Sequence, residues 1–431
     1  MTMARNEAEQ NSGKRNIERT KGLRCQVCTG CGLCPGVVRE NGRERIHILT
    51  EDGLGTQGLS LKNAGNLRLI ATDIGTTTIA MELLSEDGTV EDSFACLNPQ
   101  AKYGADVLSR VLAAEDPEKR KEMQSMVKSA LARGAERFLK CLKDGEKPLL
   151  VIAANTVMSY LLLGHDPKEL GQAPFTATHL SGGEFELELA EHSVHCLVLP
   201  GFSAFVGADL FAGAIACKMT EKSEVQLLVD LGTNGEILLG NCDLILATAT
   251  AAGPAFEGGP AKGTFGSDLV KLVARLLEEG LLDETGLLSE PYFTKGIRIG
   301  NVMLTKEAIR SLQVAKAAIQ AGISVLMEQY GIAPEEISRV VLGGGFGYFL
   351  NPADAVRIGL FPASLEAKAV SGGNTALAGA KRLGASLLTK EGMLAEVLQY
   401  SSPGRVKVIN LAEQKAFSEK YLAAMAFKPV P

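Results

Sequence analysis

The chain has 431 residues, with 44 Lys and Arg against 50 Asp and Glu and a formal net charge of −6, so it lacks the basic field that non-specific nucleic-acid binding requires. It holds 47 glycines, no tryptophan and 5% aromatic residues, a balance that fits an α/β protein with many tight turns better than an all-β sandwich. No apolar run is long enough to span a bilayer, and the first 24 residues are charged without an apolar centre, unlike a secretory signal; the expectation is a cytoplasmic protein with no membrane partner.

Residues 1–24 are expected to be a disordered tail. Residues 25–66 read as a small Cys-rich module with one strand in "RERIHIL". It opens on "CQVCTGCGLCP", where Cys25, Cys28, Cys31 and Cys34 follow the spacing C-x2-C-x2-C-x2-C-P. Thiols stay reduced in the cytoplasm, so a dense cluster points to metal before disulfide. Ferredoxin-type runs are spaced C-x2-C-x2-C-x3-C-P, one residue looser than this one. Structural zinc usually takes two separated Cys pairs, so that two loops clamp one ion. Four thiols in ten residues therefore favour an iron–sulfur cluster, 4Fe–4S ahead of other types, with zinc as the rival. The remaining cysteines, Cys96, Cys141, Cys196, Cys217 and Cys242, are scattered and read as small hydrophobes.

From Arg68 onward strands, turns and helices alternate. "LRLIATDIGTTTIAMELL" predicts two strands about a Gly-Thr turn, and "DPEKRKEMQSMVKSALARGAERFLKCL" one or two helices. "PLLVIAANTVMSYLLLG" is a buried strand running into a helix, and "CLVLPGFSAFVGADLFAGAIACKM" a strand, a loop and a helix rich in small residues. Then the opening device returns, because "VQLLVDLGTNGEILLGN" is again strand, Asp-x-Gly-Thr turn and strand. Asp73-Ile-Gly-Thr76 and Asp230-Leu-Gly-Thr233 mark an internal duplication at domain scale. A Gly- and Ala-rich loop follows in "ATATAAGPAFEGGPAKGTFG", then the helix "KEAIRSLQVAKAAIQAGISVLMEQYG". "ISRVVLGGGFGYFL" is a strand entering a glycine cluster, and "GGNTALAGAKRLG" opens another helix.

A Gly-Thr turn at a strand end exposes backbone N–H groups with little side chain in the way, and successive N–H groups make an anion-binding concavity. Thr76, Thr77 and Thr78 add hydroxyl donors. The two aspartates suit Mg²⁺ held through water, because Mg²⁺ dehydrates reluctantly. Together with a glycine bend in "VVLGGGFG" where a flat base can lie against backbone, the pair of turns points to nucleotide binding. No GxxxxGK[ST] motif is present, which excludes a P-loop. Three carboxylates are candidates for orienting an attacking water, namely Asp209 in "FVGADLFAG", Glu236 after the second turn and Glu257 in "GPAFEGG".

Duplicated Asp-x-Gly-Thr turns with a late glycine cluster resemble the ASKHA superfamily of acetate and sugar kinases, heat-shock chaperones and actin. "NPQAKYGADVLSRV", "AANTVMSYLLLGHDP", "LVDLGTNGEILLG", "TAAGPAFEGG", "LGGGFGYFLNPADAVRIGLFP", "GNTALAGA" and "INLAEQKAFSEKYLAAMAFKP" resemble, within it, the ATP-dependent reductive activators of corrinoid proteins. That resemblance runs from about Arg68 to the C-terminus. It implies an α/β fold of two ASKHA ATPase lobes, residues 67–220 and 221–431, the second with a C-terminal extension. It also implies ATP and Mg²⁺ as cofactors and a homodimer. The implied activity is one-electron return of cob(II)amide to cob(I)amide in a corrinoid protein of a methyltransferase system, with a reduced ferredoxin or flavodoxin-type donor. By position, Asp73, Gly75, Thr76 and Thr77 would form the first phosphate motif, Asp230, Gly232, Thr233 and Asn234 the second, and Gly343, Gly344, Gly345 and Gly347 the adenosine contact. Asp209 falls in the connecting helix where the superfamily places its catalytic or water-orienting polar residue. Many relatives carry a plant-type ferredoxin domain and a linker before the ATPase, and here the compact Cys run stands in their place. Two other readings stay open, an activator of another metalloenzyme such as a dehydratase, and a small-molecule kinase of the same fold with a structural zinc.

Overall fold

The computed structural model describes Leu54, Leu59, residues 61–62, 64–190, 192–232, 235–253, 266–299, 302–389 and 405–430, with the backbone of two strands nearer the N-terminus. Those two, β1 (Val37–Glu40) and β2 (Arg43–Ile46), form an antiparallel hairpin, so "RERIHIL" gives a strand that ends at Ile46 and has a partner that its own pattern did not announce. The expected tail, the four clustered cysteines and Glu257 lie outside the described residues, as do Thr233 and Asn234.

The first Asp-x-Gly-Thr segment folds as the antiparallel pair β3 (Leu67–Ile74) and β4 (Thr78–Leu84), followed by β5 (Val90–Leu97) on the far side of β4. Helices α1 (Val107–Ala114) and α2 (Pro117–Leu139) then lead to β6 (Lys147–Ala154), which returns parallel to β3. Helix α3 (Thr156–Leu163) and strands β7 (Gly183–Glu188) and β8 (Ser193–Val198) complete a sheet of order β5-β4-β3-β6-β8-β7, and α4 (Ala208–Ala216) leaves it. β3 and β6 read as near-continuous apolar runs because both of their faces are covered.

The second half repeats the plan. β9 (Gln226–Leu231), β10 (Gly235–Gly240) and β11 (Ile245–Thr250) form an antiparallel meander, so "ATAT", expected in a loop, is the third strand. Helix α5 (Gly266–Glu278), a small hairpin of β12 (Ile297–Ile299) and β13 (Val302–Leu304), and the long α6 (Lys306–Tyr330) precede β14 (Arg339–Gly343). β14 lies parallel to β9, as β6 does to β3. Short helices α7 (Gly344–Phe349) and α8 (Pro352–Arg357) are followed by β15 (Ala369–Gly373) and α9 (Thr375–Thr389). β16 (Val406–Val408) and α10 (Lys415–Ala423) end the chain, and the second sheet has the order β15-β14-β9-β10-β11-β16. The duplication seen in eight residues of sequence thus extends to five strands, a meander plus two parallel crossover strands, in each half.

Helices α4 and α9 pack against each other between the two sheets, and each reaches the other half. Phe211, Ala212 and Ile215 of α4 and Leu377, Ala380 and Leu383 of α9 share a core with Leu69, Ala71, Val151 and Ala153 of the first sheet. The opposite side of α4, Leu210 and Ala214, packs on Leu228, Leu238 and Val341 of the second. The approach is close enough that a Cβ on Gly379 would lie 1.8 Å from the Ala212 carbonyl oxygen. This explains the run of small residues in both helices. A buried ion pair ties α9 to the first sheet, Lys381 Nζ standing 2.6 Å from Glu82 Oε2, with the side chains 2% and 5% exposed. Among the described residues no helix is long and apolar enough to cross a membrane.

Candidate nucleotide site

Asp73 and Asp230 occupy equivalent ends of β3 and β9, each one strand end away from a parallel crossover neighbour. α9 begins where the two strands point. Asn374, directly before the helix, caps it by accepting the Leu377 N–H at 2.8 Å and donates its Nδ2 to Asp73 Oδ2 at 2.8 Å. Thr375, the next residue, directs its hydroxyl to Asp230 Oδ2 at 3.4 Å. Two successive residues of one helix start therefore hold the two copies of the duplicated aspartate. Asp209 enters from the first turn of α4, accepting the Leu210 N–H at 2.8 Å.

The three aspartates feel one another. All are enclosed by protein yet still reach solvent. Burial, with repulsion from Asp209 and Asp230, pushes Asp73 up to about 7 despite the Asn374 hydrogen bond. Burial and the Asp209 charge push Asp230 up to about 7, and burial raises Asp209 to about 6. Charged forms so disfavoured call for a cation or for donors, and titratable groups perturbed this way cluster at functional sites. Among the described residues no three carboxylate, Cys or His groups are close enough to chelate a metal directly. Asp73 and Asp230 are oxygen donors of the kind that Mg²⁺ takes, directly or through its water shell. The starts of α4 and α9 lie at these carboxylates, and helix N-termini favour anions.

The sequence-predicted residues are brought together unevenly. Gly75, Thr76, Thr77 and Thr78 form the β3–β4 turn, half-buried, closed by the Gly75 N–H donating to the Thr78 carbonyl at 2.9 Å. Gly232 follows β9 in the equivalent turn. Gly343 and Gly344 sit at the end of β14, beside Asp230. A Cβ on Gly344 would come 2.6 Å from Asp230 Oδ1, and its φ of +76° is the left-handed region that favours glycine. The expected glycine bend is at this residue, and the chain then tightens into the short helix α7, which carries Gly345 and Gly347. Glu236 lies on β10 directly opposite Asp230 in the antiparallel register, which puts the two side chains on one face of the sheet.

Asn374 and Thr375 were not singled out from sequence as site residues. A signal existed, since "GNTALAGA" places an Asn and a Thr at the start of an apolar helical run, the ordinary place for a cap. A cap is usually only a cap, and nothing local says that its second arm reaches a residue 301 positions away.

Comparison with known proteins identifies the family. Residues 69–222 match the family model "RACo middle region", and residues 224–262 and 259–430 match "C-terminal domain of RACo the ASKHA domain". The corrinoid activation enzyme RamQ of Eubacterium limosum is 28% identical over 90% of this chain and 75% of its own length. A reductase of a methylated-amine-specific Co(II) corrinoid protein from Methanosarcina barkeri is 22% identical over 54% of this chain and 51% of that protein. Among solved structures, a reductive activator for a corrinoid iron–sulfur protein superposes with a TM-score of 0.70 at 26% identity, covering 91% of this chain and 70% of that one. With two sheets of repeated plan, an aspartate from each meeting at one helix start, and family models running from residue 69 to residue 430, the chain belongs to the RACo family, with an ASKHA domain as its C-terminal part.

Proposed function

We propose that this protein is an ATP-dependent reductive activator that returns the cob(II)amide of a corrinoid protein to cob(I)amide by one-electron transfer. The observation that carries the reading is the convergence of Asp73, Asp209 and Asp230, partly exposed, at the starts of α4 and α9. The names of its relatives, a corrinoid activation enzyme and a corrinoid protein reductase, support the choice of target. In this reading the Gly75–Thr78 turn and the turn after Asp230 take the phosphates, and the Gly343–Gly347 segment takes the adenosine. Asp73 and Asp230 hold hydrated Mg²⁺, and Asp209 orients the attacking water. An iron–sulfur cluster on Cys25, Cys28, Cys31 and Cys34 supplies a one-electron relay when bound, with a reduced ferredoxin or flavodoxin-type protein as its source, and the functional unit is a homodimer.

The energetic task assigned to ATP is modest. Turning a two-state equilibrium from 1:99 to 99:1 takes about 5.5 kcal/mol, or roughly 240 mV for one electron at about 59 mV per tenfold. Closure of two sheets that already share α4 and α9 is a term of that kind, acting on how the partner docks and not on a phosphoryl acceptor.

The test is anaerobic. Purified protein is mixed with a corrinoid protein poised as cob(II)amide and a reduced donor, with and without MgATP, and cob(I)amide is followed by visible absorption. Formation that requires MgATP and is lost in Cys28→Ser, while that variant still binds ATP, is the expected result. A colourless protein carrying zinc, or ATP consumption driven by a small molecule without reduction of cobalt, overturns the reading in favour of a scaffold or a kinase.

A further inference from the structure

Behind the first phosphate turn stands a buried cation that, among the described residues, is in no salt bridge. Arg110, in α1, is fully buried. Its guanidinium donates to the Thr76 carbonyl at 2.6 Å and to the Gly104 carbonyl at 3.1 Å, and a third nitrogen lies 3.4 Å from Met158 Sδ. Among the described residues it forms no ion pair. Asp106, whose charge acts on it, uses both oxygens on Ser109, each at 2.8 Å. Burial draws Arg110 down only to about 10, so it is charged at neutral pH. An unpaired buried charge is costly and needs an explanation.

Two asparagines grip the same turn. Asn98 accepts the Gln100 N–H to cap the short helical turn Pro99–Tyr103, and donates its Nδ2 to the Gly75 carbonyl at 2.8 Å. Its own N–H donates to the Thr77 carbonyl at 2.8 Å. Asn155 caps α3 by accepting the Met158 N–H and donates its Nδ2 to Thr76 Oγ1 at 3.1 Å. The carbonyls of Gly75, Thr76 and Thr77 are thus all drawn to the buried side. A trans peptide points its N–H opposite to its C=O, so the N–H groups of Thr76 and Thr77 are turned away from Asn98 and Arg110. The turn itself is half-buried while Asn98 and Arg110 are fully buried, so that direction is the open one.

We infer that Arg110, Asn98 and Asn155 are positioning residues for the nucleotide's phosphates, Arg110 and Asn98 fixing the peptide planes of Gly75–Thr77 from behind and Asn155 fixing the Thr76 hydroxyl, with the bound polyphosphate as the counter-charge of Arg110. Arg110 and Asn98, fully buried behind the turn, do not touch the ligand. Preorganised N–H donors and a fixed cation act without reorganisation when the anion arrives. The inference rests on the nucleotide reading of this site and adds to it a specific expectation, that the three residues serve the phosphates and not the nucleoside.

The test measures the full chain's affinity for MgATP by titration with a fluorescent ATP analogue, and its affinity for adenosine by displacement of that analogue. Arg110→Met is expected to weaken MgATP at least tenfold and to leave adenosine within twofold of wild type, with Arg110→Lys in between because it keeps the charge and one donor. Should Arg110→Met fail to fold, the pair Asn98→Ser with Asn155→Ser decides, since serine keeps both caps and removes both arms. It is expected to weaken MgATP about three- to tenfold and to leave adenosine unchanged. Equal losses for MgATP and adenosine, or MgATP within twofold of wild type in folded variants, overturn the inference and leave the nucleotide reading standing. A wild-type chain that binds no MgATP overturns both.

Discussion

Replacing Asp230 by asparagine is expected to stabilise the nucleotide-free protein at alkaline pH while removing its response to MgATP. In the folded chain burial and Asp209 hold this carboxyl near about 7, against 3.8 for a free aspartate. Between those values the native state keeps a proton that the unfolded chain has released, so the group's contribution to stability falls as pH rises through that window and is lowest above about 7. At about 1.4 kcal/mol per pH unit, holding the charge in place costs up to roughly 4 kcal/mol. The carboxylate still reaches water, and with that screening about 1–2 kcal/mol survives. Asparagine keeps the oxygen that accepts from Thr375 and carries no charge. In EDTA at pH 8 the variant should therefore melt about 1–2 °C above wild type, and the gap should close towards pH 4, where both chains are neutral at this position. MgATP at a hundredfold its dissociation constant should stabilise wild type by about 2.7 kcal/mol and the variant little. Thermal melts followed by intrinsic tyrosine fluorescence at the two pH values, with and without MgATP, give all four quantities. A variant that melts below wild type at pH 8, with a gap independent of pH, refutes the reasoning, because Asp230 would then be held by favourable contacts and not against repulsion.

Two further outcomes follow from the packing between the sheets. Gly379→Ala places a methyl against the Ala212 carbonyl, where only backbone movement can relieve the clash, and should cost about 3 kcal/mol in urea unfolding. Lys381→Met leaves Glu82 charged and buried and should cost about 3–5 kcal/mol. The double variant with Glu82→Leu should recover most of that loss, and a double variant no better than the single one would show that the pair is not the reason for it.

Legibility from sequence followed distance along the chain. The two Asp-x-Gly-Thr hairpins are local, with apolar strands on either side of a glycine-containing turn, and they were readable as a duplication before any fold was known. The helices α2, α6 and α9 were readable from apolar periodicity. Helix α5, with Leu269, Val270, Val273 and Leu276 buried on one face, carries the same periodicity and was passed over in favour of the glycine-rich segment before it. The pairing of Asp73 with Asn374 was not readable, because no local pattern encodes a contact between β3 and the residue that starts α9. Asn98 and Asn155 were hidden for a related reason. Each has a sufficient local role as a cap, so its second arm left no trace in the sequence.

The sharing of α4 and α9 between the halves has a consequence for synthesis. The first sheet's inner face, with Leu69, Ala71, Val151 and Ala153, is covered in part by α9, which ends at Thr389. A nascent chain that has made every strand of the first sheet, through Val198, still lacks that cover. α4 follows at once and covers part of that face, but the part under α9 stays uncovered until the strands through β15 have been made. Such waiting surfaces are where growing chains associate with one another. A ribosome-bound intermediate at that stage presents apolar surface that the finished fold covers, and slowing translation between the two sheets lengthens the interval in which it does so.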